Sequence, residues 1–245
     1  MRENLNGKTV LVTGGATGIG WATASALADE GCSVVIAGRR AEKLEEALRN
    51  RPSDGRMASF AVDVADRAGV EQMFAWFLER FHGIDILVNA AGVNIKSRSM
   101  SQMAPEQWDE VMAINATGAY NCIYAALPAM REKQAGIIVN ISSISGKRAL
   151  DLGGVAYCAS KFAMSALGTA VGQEEAAHGI RVTNVYPGEV DTPLLAQRPS
   201  PVSDDHRARM LQPHDVAEMI VAIVALPARA HVPEIVVKPR LQAFC

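Results

Sequence analysis

The chain has 245 residues, a formal net charge of −2 at pH 7, and 49% hydrophobic residues. This length allows a large buried core, and the small net charge excludes a general attraction to nucleic acid or to an anionic membrane. No apolar run approaches the roughly 20 residues of a membrane helix, and no signal-peptide core precedes the first apolar run. We therefore expect a cytoplasmic protein with a small-molecule partner, no nucleic acid and no membrane.

A glycine-rich loop follows the first predicted strand, Thr9–Thr13. Its glycines are Gly14, Gly18 and Gly20, and apolar residues with helical spacing come after them. This order is typical of a dinucleotide site, because glycines let the backbone approach a pyrophosphate and the helix N-terminus attracts its charge. The sequence therefore predicts a phosphate loop; the alternative is a tight turn that binds no ligand.

The second predicted strand, Ser33–Ala37, ends at Gly38, Arg39 and Arg40 and leads into a helix over Glu42–Asn50. In a dinucleotide fold, an acidic residue at this point binds the ribose 2′-hydroxyl, whereas an arginine accommodates a 2′-phosphate. Two cations are unfavourable at a helix N-terminus unless an anion binds beside them. We therefore predict NADP(H) in preference to NAD(H); the alternative is a pair of solvated arginines.

Strands and helices continue to alternate toward the C-terminus. The further predicted strands are Ala58–Val62, Ile84–Val88, Gly136–Ile141, Arg181–Tyr186 and Pro233–Lys238. The further predicted helices are one capped by Asp66 that reaches Phe81, then Pro105–Glu132, 156–178 and Val216–Leu226. A segment at about 190–212 is predicted to be a substrate loop. This alternation predicts an α/β fold over residues 1–245 as one domain: a doubly wound, parallel, seven-stranded, Rossmann-like sheet with helices on both faces.

Tyr157 and Lys161 are four residues apart in the predicted helix 156–178, so their side chains share one helix face. A nearby ammonium favours the phenolate and lowers the tyrosine pKa, which suits general acid–base catalysis. A serine hydroxyl after the fifth predicted strand could hold a carbonyl oxygen beside this tyrosine. The pair also arises often by chance, so its meaning depends on the rest of the chain.

The cysteines are far apart and form no Cys-x-x-Cys pair. They are Cys32, Cys122, Cys158 and Cys245. We predict reduced thiols and no metal site, because His206 and His214 also have no ligand-like partners at suitable spacing.

Several separated motifs together resemble the short-chain dehydrogenase/reductase family, in its single-domain, NADP-preferring type. The matching motifs are Thr13-Gly14-x-x-x-Gly18-Ile19-Gly20, Asp63-Val64, Asn89-Ala90-Ala91-Gly92, Asn115, Asn140-Ile141-Ser142-Ser143, Tyr157-x-x-x-Lys161 and Pro187-Gly188-x-x-x-Thr192. They follow the family order over nearly the whole chain. The resemblance implies an oxidoreductase that transfers a hydride between NADP(H) and a carbonyl or secondary alcohol.

The resemblance also implies a set of coenzyme-binding residues. They are Gly14, Thr17, Gly18, Ile19, Gly20, Arg39, Arg40, Asp63, Val64, Asn89, Ala90, Gly92, Tyr157, Lys161, Pro187, Gly188, Val190 and Thr192. Within this set the glycine loop lines the pyrophosphate, the Asp63-Val64 pair holds the adenine, and Arg39 with Arg40 binds the 2′-phosphate. The 89–92 turn flanks the ribose, and the 187–192 segment binds the nicotinamide carboxamide.

The implied catalytic residues are Asn115, Ser143, Tyr157 and Lys161. Tyr157 is the general acid in reduction and the base in oxidation, and Ser143 orients the substrate carbonyl. Lys161 binds the nicotinamide ribose and lowers the Tyr157 pKa. Asn115 holds a water molecule in a proton relay behind Lys161.

Two features depart from the family pattern. Thr17 stands where some NADP-preferring relatives have a basic residue, so the coenzyme prediction depends mainly on Arg39. The C-terminal residues 238–245 lack the glycine-rich ending of tetrameric relatives. Of homodimer and homotetramer, we therefore expect a homodimer formed through helices 105–132 and 156–178.

The substrate is predicted only as a mostly apolar ketone or alcohol. The predicted pocket wall is Val93, Ile95, Leu150, Leu152, Leu194 and Leu195, with Glu189 and Lys147 as polar contacts. The predicted solvated loop residues are Arg198, Asp204, Asp205, His206 and Arg207. Two alternatives remain: an NAD(H)-dependent alcohol dehydrogenase of the same fold, and a non-catalytic NADP(H)-binding regulator.

Overall fold

The computed structural model describes residues 2–51 and 55–243, so the predicted thiol of Cys245 lies outside the described residues. The strands are β1 (Thr9–Thr13), β2 (Ser33–Gly38), β3 (Met57–Ala61), β4 (Ile86–Asn89), β5 (Gly136–Ile141), β6 (Ile180–Pro187) and β7 (Glu234–Val237). They form one seven-stranded parallel sheet in the order β3-β2-β1-β4-β5-β6-β7. The predicted doubly wound sheet is confirmed.

Helices connect these strands and cover both faces of the sheet. The helices are α1 (Gly18–Asp29), α2 (Ala41–Arg49), α3 (Arg67–Phe81), α4 (Pro105–Met112), α5 (Gly118–Lys133), α6 (Val155–Glu174), α7 (Asp204–Arg207) and α8 (Pro213–Val224). Asp66 caps α3 as predicted, because its carboxylate accepts a hydrogen bond from the Ala68 amide. Over the described part of the chain, no helix is both long and apolar enough to cross a membrane.

Alternate residues of the central strands enter two separate hydrophobic cores. Val10 and Val12 of β1 pack on one face with Leu27 of α1. Leu11 packs on the other face with Phe77 of α3. Both faces of the sheet are therefore buried, which explains why its strands read as continuous apolar runs rather than as alternating ones.

The chain reverses its winding direction at β1, which pairs with β2 on one side and with β4 on the other. The connection that leaves β1 leads toward β2, whereas the connection that leaves β4 leads toward β5. These two connections therefore diverge at the carboxyl ends of β1 and β4. Ligands of open α/β sheets bind in the crevice at such a point. The sheet order thus places the predicted phosphate loop, which follows β1, at the mouth of this crevice.

The predicted helix 105–132 is wrong as a single element. The structure has α4 and α5, joined by a π-helical turn over Ala113–Thr117. Asn115 lies in this turn, where its side-chain oxygen accepts a hydrogen bond from the Val93 amide at 2.8 Å and its nitrogen donates to the Val93 carbonyl at 2.9 Å. The wider turn directs Asn115 inward toward these groups, and such insertions often mark functional sites.

The segment at 190–212 has more structure than the sequence predicted. It contains a 3-10 helix over Pro193–Gln197 and then α7, and Val190 bridges to Leu211. The prediction that Arg198 belongs to a solvated face is wrong. Its side chain is only 12% exposed, because its guanidinium pairs with the Glu189 carboxylate at 2.8 Å.

Candidate active site

A cavity of about 1010 Å³ lies at the carboxyl ends of the central strands. It contains predicted residues from the segments that follow β1, β2, β3, β4, β5 and β6. The predicted site residues in its wall are Gly14, Thr17, Gly18, Ile19, Gly20, Arg39, Arg40, Asp63, Val64, Ala90, Gly92, Ser143, Tyr157, Lys161, Pro187, Gly188, Val190 and Thr192. Of the predicted residues, Asn89 and Asn115 do not line it. The fold therefore brings the separated motifs into one continuous site.

The glycine loop between β1 and α1 is packed too closely for side chains. Gly14 has a φ of +64°, which is unfavourable for other residues, and a Cβ there would lie 2.7 Å from the Ala90 oxygen. A Cβ on Gly20 would lie 2.3 Å from the Gly14 oxygen. The N-terminus of α1 thus packs against the loop, with its free amide groups at the cavity wall.

Cations line the end of the cavity that follows β2. The Arg39 guanidinium is half exposed and lies 4.0 Å from the Asp63 carboxylate and 3.9 Å from that of Glu110. These loose ion pairs leave donors of Arg39 free to bind an added anion. Arg40 is the N-cap residue of α2, and Lys43 also lines the cavity. Lys43 was missed, although its position one helical turn beyond Arg39 was a usable signal.

Tyr157 and Lys161 lie one turn apart on α6, as predicted. Lys161 is 4% exposed, and its Nζ lies 5.6 Å from the centroid of the Tyr157 ring. Nζ donates a hydrogen bond of 2.7 Å to the carbonyl oxygen of Ile141, the last residue of β5. Burial without a carboxylate partner lowers the pKa of Lys161 to about 8.

Burial raises the pKa of Tyr157 above its usual value. The nearby Ser143 hydroxyl and the positive charge of Arg98 act in the opposite direction and lower this pKa. Lys161 was predicted to supply the lowering charge, but it is not among the groups that shift this pKa in the structure, where its Nζ donates to the Ile141 carbonyl. Tyr157 is therefore protonated at neutral pH and lies beside the serine that the sequence selected.

Asn115 lies directly behind the cavity wall. Besides its two bonds to Val93, its side-chain nitrogen donates to the Ser160 hydroxyl of α6 at 3.0 Å. A Cβ added to Gly92 would lie 3.5 Å from both the Asn115 side-chain oxygen and Lys161 Nζ. Gly92 therefore lies close both to the Asn115 amide behind the wall and to Lys161, which itself lines the cavity.

Asn89 points away from the cavity and into the sheet. Its side-chain nitrogen donates to Asn140 at 3.0 Å, and Asn140 donates to Asn184 at 3.1 Å, which makes a row of amides across β4, β5 and β6. Asn184 donates in turn to the Ser165 carbonyl of α6 at 3.0 Å. The Asn89 side chain therefore has a structural role, because strand pairing fixes the three amides in register. That the 89–92 turn flanks the coenzyme ribose stays a prediction.

Most of the pocket-wall residues predicted from the sequence line the substrate end of the cavity. The predicted residues that line the cavity are Val93, Ile95, Leu150, Leu152, Leu194, Leu195 and Glu189. Lys147 does not line it, because it pairs with Glu234 and lies 4.5 Å over the ring of Tyr186. The sequence missed Arg98 and Arg198, which do line it; a lone arginine in a polar loop carries no local signal.

Within residues 2–51 and 55–243, no group of three or more His, Cys, Asp or Glu side chains is arranged to hold a metal ion. In the same part of the chain the cysteines are buried and unpaired, and they are Cys32, Cys122 and Cys158. The Cys158 thiol donates to the Leu150 carbonyl at 3.5 Å, so it helps to order the loop before α6.

A family model described as short chain dehydrogenase matches residues 8–202. An uncharacterized oxidoreductase of Staphylococcus aureus strain MW2 is 34% identical over 235 residues, which cover 96% of this chain and 98% of that protein. A similar oxidoreductase of Staphylococcus epidermidis is 30% identical over 232 residues, which cover 95% and 97%.

Solved structures of the same fold contain either nicotinamide coenzyme. The closed form of a serine dehydrogenase complexed with NADP+ is 30% identical, with a TM-score of 0.86 and coverage of 96% of both chains. The 3-ketoacyl-(acyl-carrier-protein) reductase of Brucella melitensis, complexed with NADH, is 27% identical, with a TM-score of 0.86 and coverage of 96% and 98%. From its sequence, fold and site, this chain belongs to the short-chain dehydrogenase family of oxidoreductases.

Proposed function

We propose that this protein is an NADP(H)-dependent oxidoreductase that acts on a carbonyl compound or the corresponding secondary alcohol. One observation carries the proposal: a single cavity has the glycine loop and Arg39 at one end and Ser143, Tyr157 and Lys161 at the other. The cavity is large enough for a dinucleotide together with a small substrate. Its two ends have the chemistry that each of these ligands needs.

The residues of the cavity fit a nicotinamide dinucleotide. The tightly packed loop from Gly14 to Gly20 presents backbone amides and leaves no side chain in the way of a pyrophosphate. The proposed adenine contacts are Asp63 and Val64, and the proposed carboxamide contacts are the backbone near Pro187 and the Thr192 side chain. When bound, the coenzyme supplies or accepts the hydride, and the protein supplies position and proton transfer.

Tyr157 is the proposed proton donor in reduction. Its hydroxyl lies near that of Ser143, so a carbonyl oxygen placed between them can accept hydrogen bonds from both groups. As the carbonyl carbon gains a hydride, the Tyr157 proton passes to the oxygen and an alcohol forms. Oxidation reverses the transfer, with the phenolate as base.

Lys161 and Asn115 are the proposed route by which the proton is replaced. Lys161, whose pKa is lowered to about 8, can exchange a proton near neutral pH. Asn115 lies beside the same Gly92, and its side-chain oxygen, which accepts one hydrogen bond from Val93, has a second lone pair for a water molecule near Lys161. In oxidation the same route removes the proton from the site.

The proposed preference for NADP(H) depends on charge at the ribose end. Arg39, Arg40 and Lys43 line this end, and Gly38 stands where an acidic residue would favour the 2′-hydroxyl of NAD(H). Arg39 has its two carboxylate neighbours at 3.9–4.0 Å, so a phosphate can compete for its donors. NAD(H) is the alternative, which the NADH-bound relative keeps open.

We further propose that the whole chain acts as one domain with its substrate loop at 190–212, and that two copies associate. Leu194, Leu195 and Arg198 of this loop line the cavity, so its position controls which substrates fit. Apolar side chains are exposed on α5 and on the helix that carries Tyr157, with Tyr120 at 40% on α5 and Phe162 at 43% on α6. Such a surface suits a homodimer through α5 and α6 better than a monomer.

The proposal is tested by coenzyme titration followed by a substrate panel. Binding of NADPH and NADH is measured by fluorescence, and NADPH oxidation is then recorded with ketones and aldehydes of increasing size. We expect NADPH to bind at least about tenfold more tightly than NADH, as one lost charge-assisted contact implies. Tighter NADH binding would overturn the coenzyme preference, and coenzyme binding without turnover on any carbonyl would favour the regulator instead.

A further inference from the structure

Arg98 projects into the substrate end of the cavity from the segment after β4. Its Nε donates to the Ile95 carbonyl at 3.0 Å, its Nη1 to the Leu152 carbonyl, and its Nη2 to the Gln197 carbonyl at 2.9 Å. These acceptors belong to three different segments, so the guanidinium is held in a defined place. A guanidinium has five N–H groups, and these bonds leave one free on each terminal nitrogen.

Arg98 also lies beside the first turn of the catalytic helix. The Val155 amide donates to the Arg98 carbonyl at 3.1 Å. A Cβ added to Gly154 would lie 2.5 Å from the Arg98 Cβ, so the two backbones are in direct contact. Tyr157 follows three residues later, and its pKa is lowered by the Arg98 charge. Arg98 therefore adjoins the helix that carries the proton donor, and both side chains line the cavity.

The positive charge of Arg98 has no carboxylate partner among the described residues. Glu189 is the carboxylate at this end of the cavity, and it is already held by Arg198 at 2.8 Å and by His206 at 3.0 Å. Burial and the charge of Arg198 both lower the pKa of Arg98. Neutral acceptors can satisfy the hydrogen bonds of a guanidinium, but they leave its charge uncompensated.

We propose that the substrate carries a carboxylate, which Arg98 binds while the carbonyl or alcohol lies at Tyr157. This inference rests on the proposed function and narrows it to short oxo acids and the matching hydroxy acids. The free N–H on each terminal nitrogen suits the two oxygens of a carboxylate. The leucines of the wall contact the apolar part of such a molecule. The competing role is that of a clasp, in which Arg98 only holds three loops together.

The experiment measures binding without turnover. The protein is saturated with NADP+, which cannot reduce a ketone, and titrated calorimetrically with 3-oxobutanoate and with 3-oxobutanamide, its neutral near-isostere. A second pair, 4-oxopentanoate and 4-oxopentanamide, moves the charge one carbon further away. We expect the acid of at least one pair to bind about tenfold or more tightly than its amide, as a charge-assisted contact requires.

Arg98→Gln should abolish this preference. It should weaken binding of the acid about tenfold or more and binding of the amide less than about threefold. Arg98→Lys, which keeps the charge, should retain part of the preference. Arg229→Gln removes the same charge from an exposed position outside the cavity wall, and it should leave the affinity for both ligands unchanged. Unfolding temperatures and NADP+ affinity establish that each variant is folded and that its coenzyme end is intact.

The outcomes separate the two proposals. Failure to bind NADP+ counts against the proposed function. With NADP+ bound, an acid that binds no better than its amide, or a wild-type protein that binds neither member of either pair, overturns the role of Arg98 and leaves the proposed function standing. If Arg98→Gln loses equal affinity for the acid and for the amide, Arg98 only holds the three loops together. Should Arg98→Gln fail to fold, the ratio of acid to amide affinity in the wild type and in Arg98→Lys still tests the role of Arg98 in carboxylate binding.

Discussion

Lys161 and Ile141 join the catalytic helix to the central sheet: Nζ of the lysine lies 2.7 Å from the carbonyl oxygen that ends β5. A neutral oxygen satisfies one donor of the ammonium but does not neutralise it. The buried charge is consequently disfavoured, and the lysine pKa is lowered to about 8. The lysine of the proposed proton route is thus held at a cost in stability.

Lys161→Met should stabilise the coenzyme-free protein in a pH-dependent way. Below pH 8, lysine is protonated in both the folded and unfolded states, so the full cost of its buried charge is present. Between about 8 and the ordinary value of 10.5, the folded lysine loses its proton first, and the wild type regains stability as pH rises. The advantage of the variant should therefore be roughly 3 kcal/mol at neutral pH and small near pH 10.5.

Urea unfolding at several pH values between 7 and 10 measures this difference. Lys96→Met, at an exposed position, is the matched control, and its effect should be small and constant across the range. A Lys161→Met advantage that did not change with pH would contradict the buried-charge explanation.

Tyr157→Phe should remove the proton donor and leave the coenzyme site intact. We expect kcat/KM for any substrate to fall about 100-fold to 10,000-fold, the usual contribution of a general acid, with little change in NADPH affinity. Because burial raises the pKa of Tyr157, wild-type reduction should proceed at neutral pH and decline only in alkaline solution. Tyr124→Phe, on the exposed side of α5, should turn over like the wild type. Undiminished turnover by Tyr157→Phe would place the proton donor elsewhere.

Arg39→Ser should weaken NADPH binding selectively. Loss of a guanidinium from the 2′-phosphate should raise the NADPH dissociation constant about tenfold or more, while NADH, which lacks this phosphate, should change less than about threefold. Fluorescence titration of both coenzymes measures the ratio. Arg49→Ser, whose 67% exposed side chain lies at the other end of α2, controls for the loss of net charge. Equal weakening of both coenzymes would mean that Arg39 acts on the fold of the loop.

Gly168→Ala should disturb the catalytic helix through the row of asparagine amides. A Cβ on Gly168 would lie 2.2 Å from the Asn184 side-chain oxygen and 2.5 Å from the Asn140 nitrogen, so α6 must shift away from the sheet. We expect a loss of about 1–3 kcal/mol in the free energy of unfolding, despite the better helix propensity of alanine. Turnover should also fall, because Tyr157 and Lys161 move with the helix.

Gly172→Ala tests this explanation one turn further along α6. There the nearest atom to an added Cβ is the Val182 Cβ at 3.3 Å, so a small adjustment accommodates the methyl group. The Gly172→Ala protein should unfold near or above the wild-type urea midpoint. Equal effects of the two substitutions would remove the special role of the asparagine row.

Local patterns were sufficient for most of the fold. The apolar runs predicted the seven strands to within about two residues at each end, because burial on both faces of a parallel sheet leaves a continuous hydrophobic signal. The glycine loop was equally readable, since close packing of Gly14 and Gly20 against neighbouring backbone allows no other residue. The helix period placed Tyr157 and Lys161 on one face, and nothing beyond four residues of sequence was required.

Tertiary contacts decided the remainder of the site. The amide row joins Asn89 to Asn140 across 51 residues and Asn140 to Asn184 across 44, so it exists only when the strands are in register. The π-helical turn at Asn115 likewise depends on the Val93 backbone, which no helix propensity reports. Arg98 reaches Gln197 across 99 residues. The sequence by itself determined which residues could do chemistry, because turns, periods and glycines are local properties. Only the packed chain decided which charges lack partners at the substrate end, because partners are set by long-range contacts.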